Sequence, residues 1–402
     1  MLASRKKALG AAGAAGIALA LIATPAFADY GPQSGDIVGV GSDTVQNIGD
    51  FLTDGDINAD AGFNNAGGKN RFVSFDATGD ANDRALYANG GTSPLKLGVI
   101  LRAGTSPVQR PNGSGAGISA LSADNGAVKK INYVRMSRLP KNSDVSNFQG
   151  LNGGSSHTLH SVKIASDDLL MAGKTGGNAV AVTPADLVAI YACTKTLWTQ
   201  VGGSSATTIH PLIPQAGSGT GDSFRADLTA MNGGTTASIG GCVGTTEEND
   251  PSALTADANA VAPFSEGRKN LFDSGYFHDV NTANGGGAAQ TSGITLFYGP
   301  NSTNSTVQAT NACVNPTAGT SSTVTYCDTR GLFVVFRTDD FGIATPMQPG
   351  GTKNWVQTLF FTGTTTKPFV QTPAGQALIA AGGVNATYVD CGQATVESPG
   401  VC

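Results

Sequence analysis

Pro211-Leu212-Ile213-Pro214-Gln215-Ala216-Gly217-Ser218-Gly219-Thr220 is the stretch on which the fold turns. A short apolar run stops at small residues. Phe224, Leu228 and Met231 then recur at the spacing of one buried helix face. The pattern predicts a strand, a glycine corner and a helix, with Ser218, Gly219 and Thr220 at the helix mouth. The first backbone N–H groups of a helix have no intrahelical partners, and the dipole adds positive potential there. Glycine lets backbone approach a ligand, and two hydroxyls add donors, so such a corner suits a small oxyanion. A plain helix cap is the simpler reading of one such corner.

The chain has two more. Asp36-Ile37-Val38-Gly39-Val40-Gly41 reads as a strand closing on glycines, followed by Ser42-Asp43-Thr44 and a helical face of Val45, Ile48 and Leu52. Arg110-Pro111-Asn112-Gly113-Ser114-Gly115-Ala116-Gly117 leads into Ile118 and Leu121. Three glycine-serine corners exceed what capping needs. If they converge in space they form one anion or polar-ligand site.

The N-terminal segment reads as a leader rather than as fold. Arg5-Lys6-Lys7 precedes a small-residue and apolar run from Ala8 to about Thr24, and Ala26-Phe27-Ala28 fits a signal-peptidase pattern, so the mature chain is expected to begin at Asp29. No cysteine stands near the cut, so the lipid-anchor signal of many surface proteins is missing, and no later apolar run reaches membrane-spanning length. A secreted or periplasmic product of a Sec-type signal peptide is expected. Removing residues 1–28 takes three of the 24 basic residues and leaves all 29 acidic ones, a balance of −8. That argues against nucleic acid as a partner and requires any anion site to be local. Six cysteines follow the leader, an even number that should pair in an oxidising compartment. Sequence does not choose their connectivity; neighbours are the expected pairs, Cys193–Cys242, Cys313–Cys327 and Cys391–Cys402. The cysteines and four histidines lack zinc-ligand spacing, so no metal or cofactor is expected.

Between the corners, strands alternate with helices, which favours α/β architecture with parallel strands. Lys130 to Arg138 reads as a strand, Asn142 to His160 as a polar loop, and Ser161 to Ala165 as a strand. Thr183-Pro184-Ala185-Asp186 opens a helix with Leu187, Ile190 and Tyr191 on its buried face. Residues 281–329, rich in Gly, Thr, Ser and Asn, read as a surface excursion stapled by Cys313–Cys327. Gly331 to Arg337 is the clearest strand of the C-terminal third; helices are expected around Val356–Phe361 and Gln376–Ala381.

Val38-Gly39-Val40-Gly41-Ser42-Asp43-Thr44, Asn112-Gly113-Ser114-Gly115-Ala116-Gly117, Leu187-Val188-Ala189-Ile190-Tyr191 with Trp198, and Ile213 to Thr220 occur in an order and spacing that resemble the phosphate-binding substrate-binding proteins of ABC transporters, in their actinobacterial-like secreted branch. The resemblance covers about Asp36 to Phe224 and extends more weakly to the strand at Gly331. It implies a two-lobed type 2 periplasmic-binding-protein fold with a ligand cleft and two interlobe crossings. One lobe would hold residues 29–138 and 331–402, the other 139–330. It also implies phosphate or a similar oxyanion as ligand, an ABC permease as partner, hinge closure on binding, no catalysis, and a monomer. Carried over by position, the ligand set is Ser42, Asp43 and Thr44 at the first mouth, Ser114 and Gly115 at the second, Ser137 and Arg138 at a strand end, and Ser218, Gly219 and Thr220 at the third.

The chain departs from that pattern at three places. Pro214 stands where the family commonly has Arg, Arg138 where it commonly has Asp, and Gly221 where close relatives can carry Arg. Arg138 is therefore expected to replace the lost cation, its planar fork suiting an oxyanion. Asp43 is expected to supply the acceptor or to pair with Arg138. A secreted surface or structural protein that keeps the fold with a degenerate site is the alternative. A serine hydrolase is disfavoured, since none of Ser42, Ser114 and Ser218 sits in G-x-S-x-G. Gly173-Lys174-Thr175 ends like a phosphate loop, but Asp168 stands at its first glycine.

Overall fold

The computed structural model describes residues 31–56, 58–66, 70–77, 98–274, 276, 292–297, 326–341, 355–393 and 402. The expected leader, most of the 281–329 excursion and Cys313 lie outside them. The elements in order are β1 (Ile37–Gly41), α1 (Gln46–Asp54), β2 (Phe72–Ser74), β3 (Gly98–Val99), β4 (Val108–Gln109), α2 (Ser114–Ala123), β5 (Tyr133–Met136), α3 (Asn142–Leu151) and β6 (Leu159–Lys174). Then follow α4 (Pro184–Tyr191), β7 (His210–Pro214), α5 (Gly219–Met231), β8 (Gly244–Thr246), α6 (Ser252–Ala256), β9 (Ala260–Ser265), α7 (Glu266–Asp273), β10 (Ile294–Phe297), β11 (Cys327–Arg337), α8 (Trp355–Leu359), α9 (Pro373–Ala381) and β12 (Asn385–Gln393).

Strands that follow one another through helices pair in parallel, as the alternation predicts: β1 with β2 and β5, and β7 with β8 and β9. The two groups are joined by antiparallel pairing. β6 and β11 run alongside each other from Leu170↔Cys327 to Leu159↔Arg337. The sheet order is β2-β1-β5-β11-β6-β9-β7-β8, with β10 and β12 also on β6. The Leu159 half of β6 has β12 beside it, and the Lys174 half has β9 and β10. β6 and β11 are therefore the two strands that pass from one lobe to the other. Their hydrophobic residues divide into four clusters, two against each half of the sheet, so each lobe buries both sheet faces. This is the two-lobed α/β fold that the sequence implies.

Two local expectations need correction. Asn142–Leu151 is helix α3, not a polar loop. Its Val145 and Phe148 are one helical turn apart and bury in the cluster of Ile118 and Leu121, while Asp144 accepts from the Lys141 backbone N–H at 2.8 Å and secures the first turn. The strand expected at Ser161–Ala165 extends over 16 residues. It passes through Asp167 because that carboxylate is satisfied inside the protein by Arg330, Ser265 and Gly267. Along β6 the strand neighbours change from β12 to β9 near Asp167.

Cys193–Cys242 and Cys391–Cys402 form two of the three expected bridges. Cys327 is also disulfide-bonded, and its expected partner Cys313 lies outside the described residues. Among the described residues, no helix is long and apolar enough to cross a membrane.

Candidate functional site

Each glycine corner is built by its own local chemistry. The third has Ser218 as N-cap of α5, its hydroxyl accepting from Gly221 N–H at 2.9 Å, and Phe224 and Leu228 buried below. The second opens α2 behind Gly113, whose φ of 98° suits glycine. A Cβ there would lie 2.4 Å from the Gly217 carbonyl oxygen. The first differs: α1 begins behind Val45 with no side-chain cap, so Ser42, Asp43 and Thr44 form a turn ahead of the helix.

All three corners meet. Gly113 N–H points to Gly41 O at 3.4 Å, and Gly115 N–H donates to Gly217 O at 2.9 Å. Thr44 and Thr220, one from each lobe, bring their hydroxyl oxygens to 3.3 Å. Ser114 accepts from Ser137 N–H at 2.9 Å, with the two serine hydroxyls 3.3 Å apart. Gly219 packs against both, leaving no room for a side chain: a Cβ would be 2.1 Å from Ser114 Oγ. Ser42, Asp43, Thr44, Ser114, Ser137, Ser218 and Thr220 are all buried. The Ser42 hydroxyl has no hydrogen-bond partner among the described residues.

The electrostatics differ from the expectation. Arg138 donates from Nε to Asp222 Oδ2 and from Nη1 to Asp144 Oδ2, both at 2.8 Å, and from Nη1 to its neighbour's carbonyl. Asp144 fixes it within its own lobe, and Asp222 ties it to the other. Asp43 faces Asn249 Nδ2 at 3.4 Å and Arg268 Nε at 3.9 Å rather than Arg138. The guanidinium at the two threonines belongs to Arg330. Its Nη1 donates to Thr220 Oγ1 at 2.7 Å, and its Nη2 lies 3.4 Å from Thr44 Oγ1. Nε and Nη2 also reach Asp167 Oδ2 at 3.2 and 2.9 Å. Asp167 in turn accepts from Ser265 Oγ and Gly267 N–H on its other oxygen, so Arg330 is aimed from a fixed support. Arg330 and Asp167 are register partners on β11 and β6, which puts the cation on the strands that link the lobes.

A carboxylate completes the cluster. Glu248 Oε1 accepts from Thr44 Oγ1 at 2.7 Å and from Thr220 Oγ1 at 2.8 Å. Asn249 Nδ2 donates to Thr44 Oγ1 at 3.0 Å. Gln215 braces this turn, donating to Glu247 Oε1 at 3.1 Å and accepting from Glu248 N–H at 2.8 Å. What the arrangement does chemically is plain: two hydroxyls, one from each lobe, converge on one anionic oxygen, and a guanidinium donates to the oxygens of those hydroxyls. No nucleophile–base pair accompanies them among these contacts.

On α5, Asp227 accepts from the O–H of Tyr326, the residue before β11, at 2.7 Å. Burial, then the neighbouring Asp328, push its carboxyl up to about 7. Burial likewise raises Asp328, against the pull of Arg330.

A family model for the PBP superfamily domain matches residues 101–372, and the chain belongs to that superfamily. No curated protein sequence matches it. Among solved structures, a putative phosphate ABC transporter substrate-binding protein with bound phosphate from Clostridium perfringens aligns at TM-score 0.51 and 14% identity, covering 88% of this chain and 99% of that one. An ABC-type phosphate transport receptor from Vibrio cholerae aligns at TM-score 0.44 and 14% identity, covering 88% of this chain and 100% of that one. A human phosphate binding apolipoprotein aligns at TM-score 0.45 and 15% identity, covering 87% and 90%.

Arg330, Glu248, Asn249, Gln215, Arg268 and Asp167 were not among the sequence candidates. Two signals pointed toward them. Glu247-Glu248-Asn249-Asp250 is a dense acidic run in a chain with only 13% charged residues, and Arg330 directly precedes the clearest late strand.

Proposed function

We propose that this chain is a non-catalytic extracytoplasmic receptor that captures phosphate or a similar oxyanion between its lobes and presents it to an ABC-type permease. The observation that carries this reading is the convergence of Thr44 and Thr220, from opposite lobes, on one carboxylate oxygen, with Arg330 donating to the same pair. Donors built to hold one anionic oxygen suit another. Hydroxyls and guanidinium fork are the groups that bind oxyanions through charge-assisted hydrogen bonds. Closure of β6 and β11 about the hinge would bring the two halves of the cradle together, as in other two-lobed binders. The ligand contacts proposed are Ser42, Thr44, Ser114, Ser137, Ser218, Thr220 and Arg330, with Arg138 serving closure. Two disulfides support an oxidising compartment outside the cytoplasm.

The second reading, a structural surface protein with a degenerate cleft, is favoured by one feature. Gly115 N–H, an amide of the second mouth, is spent on Gly217 O. Titration calorimetry with inorganic phosphate and with sulfate separates the two. Micromolar or tighter binding that weakens about tenfold or more in Thr44→Ala/Thr220→Ala, the scale of lost charge-assisted hydrogen bonds, is the receptor result. No heat with either anion is the structural result.

A further inference from the structure

Three consecutive side chains of one turn reach across the cleft. Glu247 Oε1 accepts from Asn112 Nδ2 at 2.8 Å, Glu248 Oε1 accepts from Thr44 Oγ1, and Asn249 Nδ2 donates to Thr44 and Asp43. Asn112, Asp43 and Thr44 lie at the first and second corners. Glu247 to Asn249 follow β8, the three-residue edge strand at the far end of the other lobe's sheet. Asn249 sits at φ 55°, a left-handed conformation that asparagine tolerates. The turn is a clasp between lobes.

Its central residue does more than fasten. A threonine hydroxyl has one proton to give. Thr44 and Thr220 both give theirs to Glu248 Oε1. The second oxygen, Oε2, is buried with no hydrogen-bond partner among the described residues. Of the buried charged groups at this junction, Asp43, Asp167, Glu247 and Glu248 are carboxylates, and Arg268, Arg330 and, at the Ser42 carbonyl, Arg135 are guanidiniums. An oxyanion added beside Glu248 would meet like charge at low dielectric and find both hydroxyls taken.

We propose that the Glu248 carboxylate is a resident stand-in for the oxyanion, and that ligand binds by exchange with it as the Glu247–Asn249 clasp withdraws. This rests on the receptor reading and deepens it. The clasp sets the affinity threshold: only an anion that matches the donors better than a tethered carboxylate displaces it. Glu248→Gln keeps the shape and one acceptor oxygen but removes the charge, so it lowers the threshold.

The test is calorimetric titration of inorganic phosphate and of sulfate into wild type, Glu248→Gln and Glu248→Ala, with small-angle scattering of each protein in anion-free buffer. Exchange predicts that Glu248→Gln binds phosphate about tenfold tighter or more than wild type, the scale of one charge-assisted bond relinquished. It also predicts a larger radius of gyration for Glu248→Ala, whose lobes have lost the clasp. Wild-type binding with unchanged or weaker affinity in Glu248→Gln overturns the inference while leaving the receptor reading intact. Weakening toward phosphate alone, with sulfate unaffected, also overturns it, because Glu248 would then be accepting a proton from the ligand. If no protein binds either anion, the receptor reading fails and exchange fails with it.

Discussion

Two arginines show how much a single residue's surroundings decide. Arg138 and Arg330 are both cleft guanidiniums, and sequence position favoured the first. Arg138 is met by Asp222 and Asp144, which lie on helices α5 and α3. Arg330 is held by Asp167 alone, leaving Nη1 to reach Thr220. Neither Asp222 nor Asp144 belongs to a motif, so nothing in the linear text announced that Arg138's donors would be occupied. The Ser-Gly-Thr corner was legible because its residue types have one conformational use at a helix mouth. Glu248 was legible only as part of an acidic run, since the register that aims it at Thr44 is set by the tertiary fold. The residue scale also fixes a pH dependence. Unfolded, Asp227 titrates near 3.8; folded, burial and Asp328 raise it to about 7. Between these values the folded protein holds a proton that the unfolded chain has released. Stability contributed by this group therefore falls as pH rises from about 4 to about 7, by up to about 1.4 kcal/mol per pH unit. Asp227→Asn, which cannot ionise, should lose that decline, so urea-unfolding curves of variant and wild type should diverge as pH rises across the window. Parallel pH profiles would contradict the assignment.

At the scale of elements, helices with a clear apolar face were readable: α1, α2, α4 and α5 form where Ile48, Ile118, Leu187 and Phe224 said they would. α3 was not, because a helix needs only two apolar residues to dock, and Val145 and Phe148 are sparse among Asn, Ser and Gln. The length of β6 was hidden for a related reason. Asp167 looks like a strand terminator until Arg330 is placed opposite it. The corners also contain an element-scale constraint of testable size. Alanine at the first residue of a helix normally matches or exceeds glycine, yet at Gly219 its Cβ would sit 2.1 Å from Ser114 Oγ and 2.3 Å from Ser137 Oγ. Gly219→Ala should therefore destabilise the protein by about 1–3 kcal/mol, the usual cost of overpacking, as read by urea unfolding. A stabilised variant would show that the α2 and α5 mouths are less closely docked than described.

For the whole molecule, topology explains why the site lies where it does. Two sheet halves, each covered on both faces, are linked by β6 and β11, and the chain's helix mouths open toward the seam between them. The hinge is not a passive connector. Arg330 and Asp167 stand on these linking strands, so the cation is anchored on them rather than on either lobe's loops. Three corners spread over more than 170 residues of chain meet within hydrogen-bonding reach, an arrangement that a purely structural sandwich does not require. The central claim is that these corners form one oxyanion cradle. A crystal structure of the protein grown with inorganic phosphate tests it most directly. The account predicts phosphate oxygens within hydrogen-bonding distance of Thr44, Thr220 and Arg330, with the Glu248 carboxylate turned away from both hydroxyls. Phosphate bound elsewhere, or a cleft in which Glu248 still holds both threonines at saturating phosphate, would contradict it.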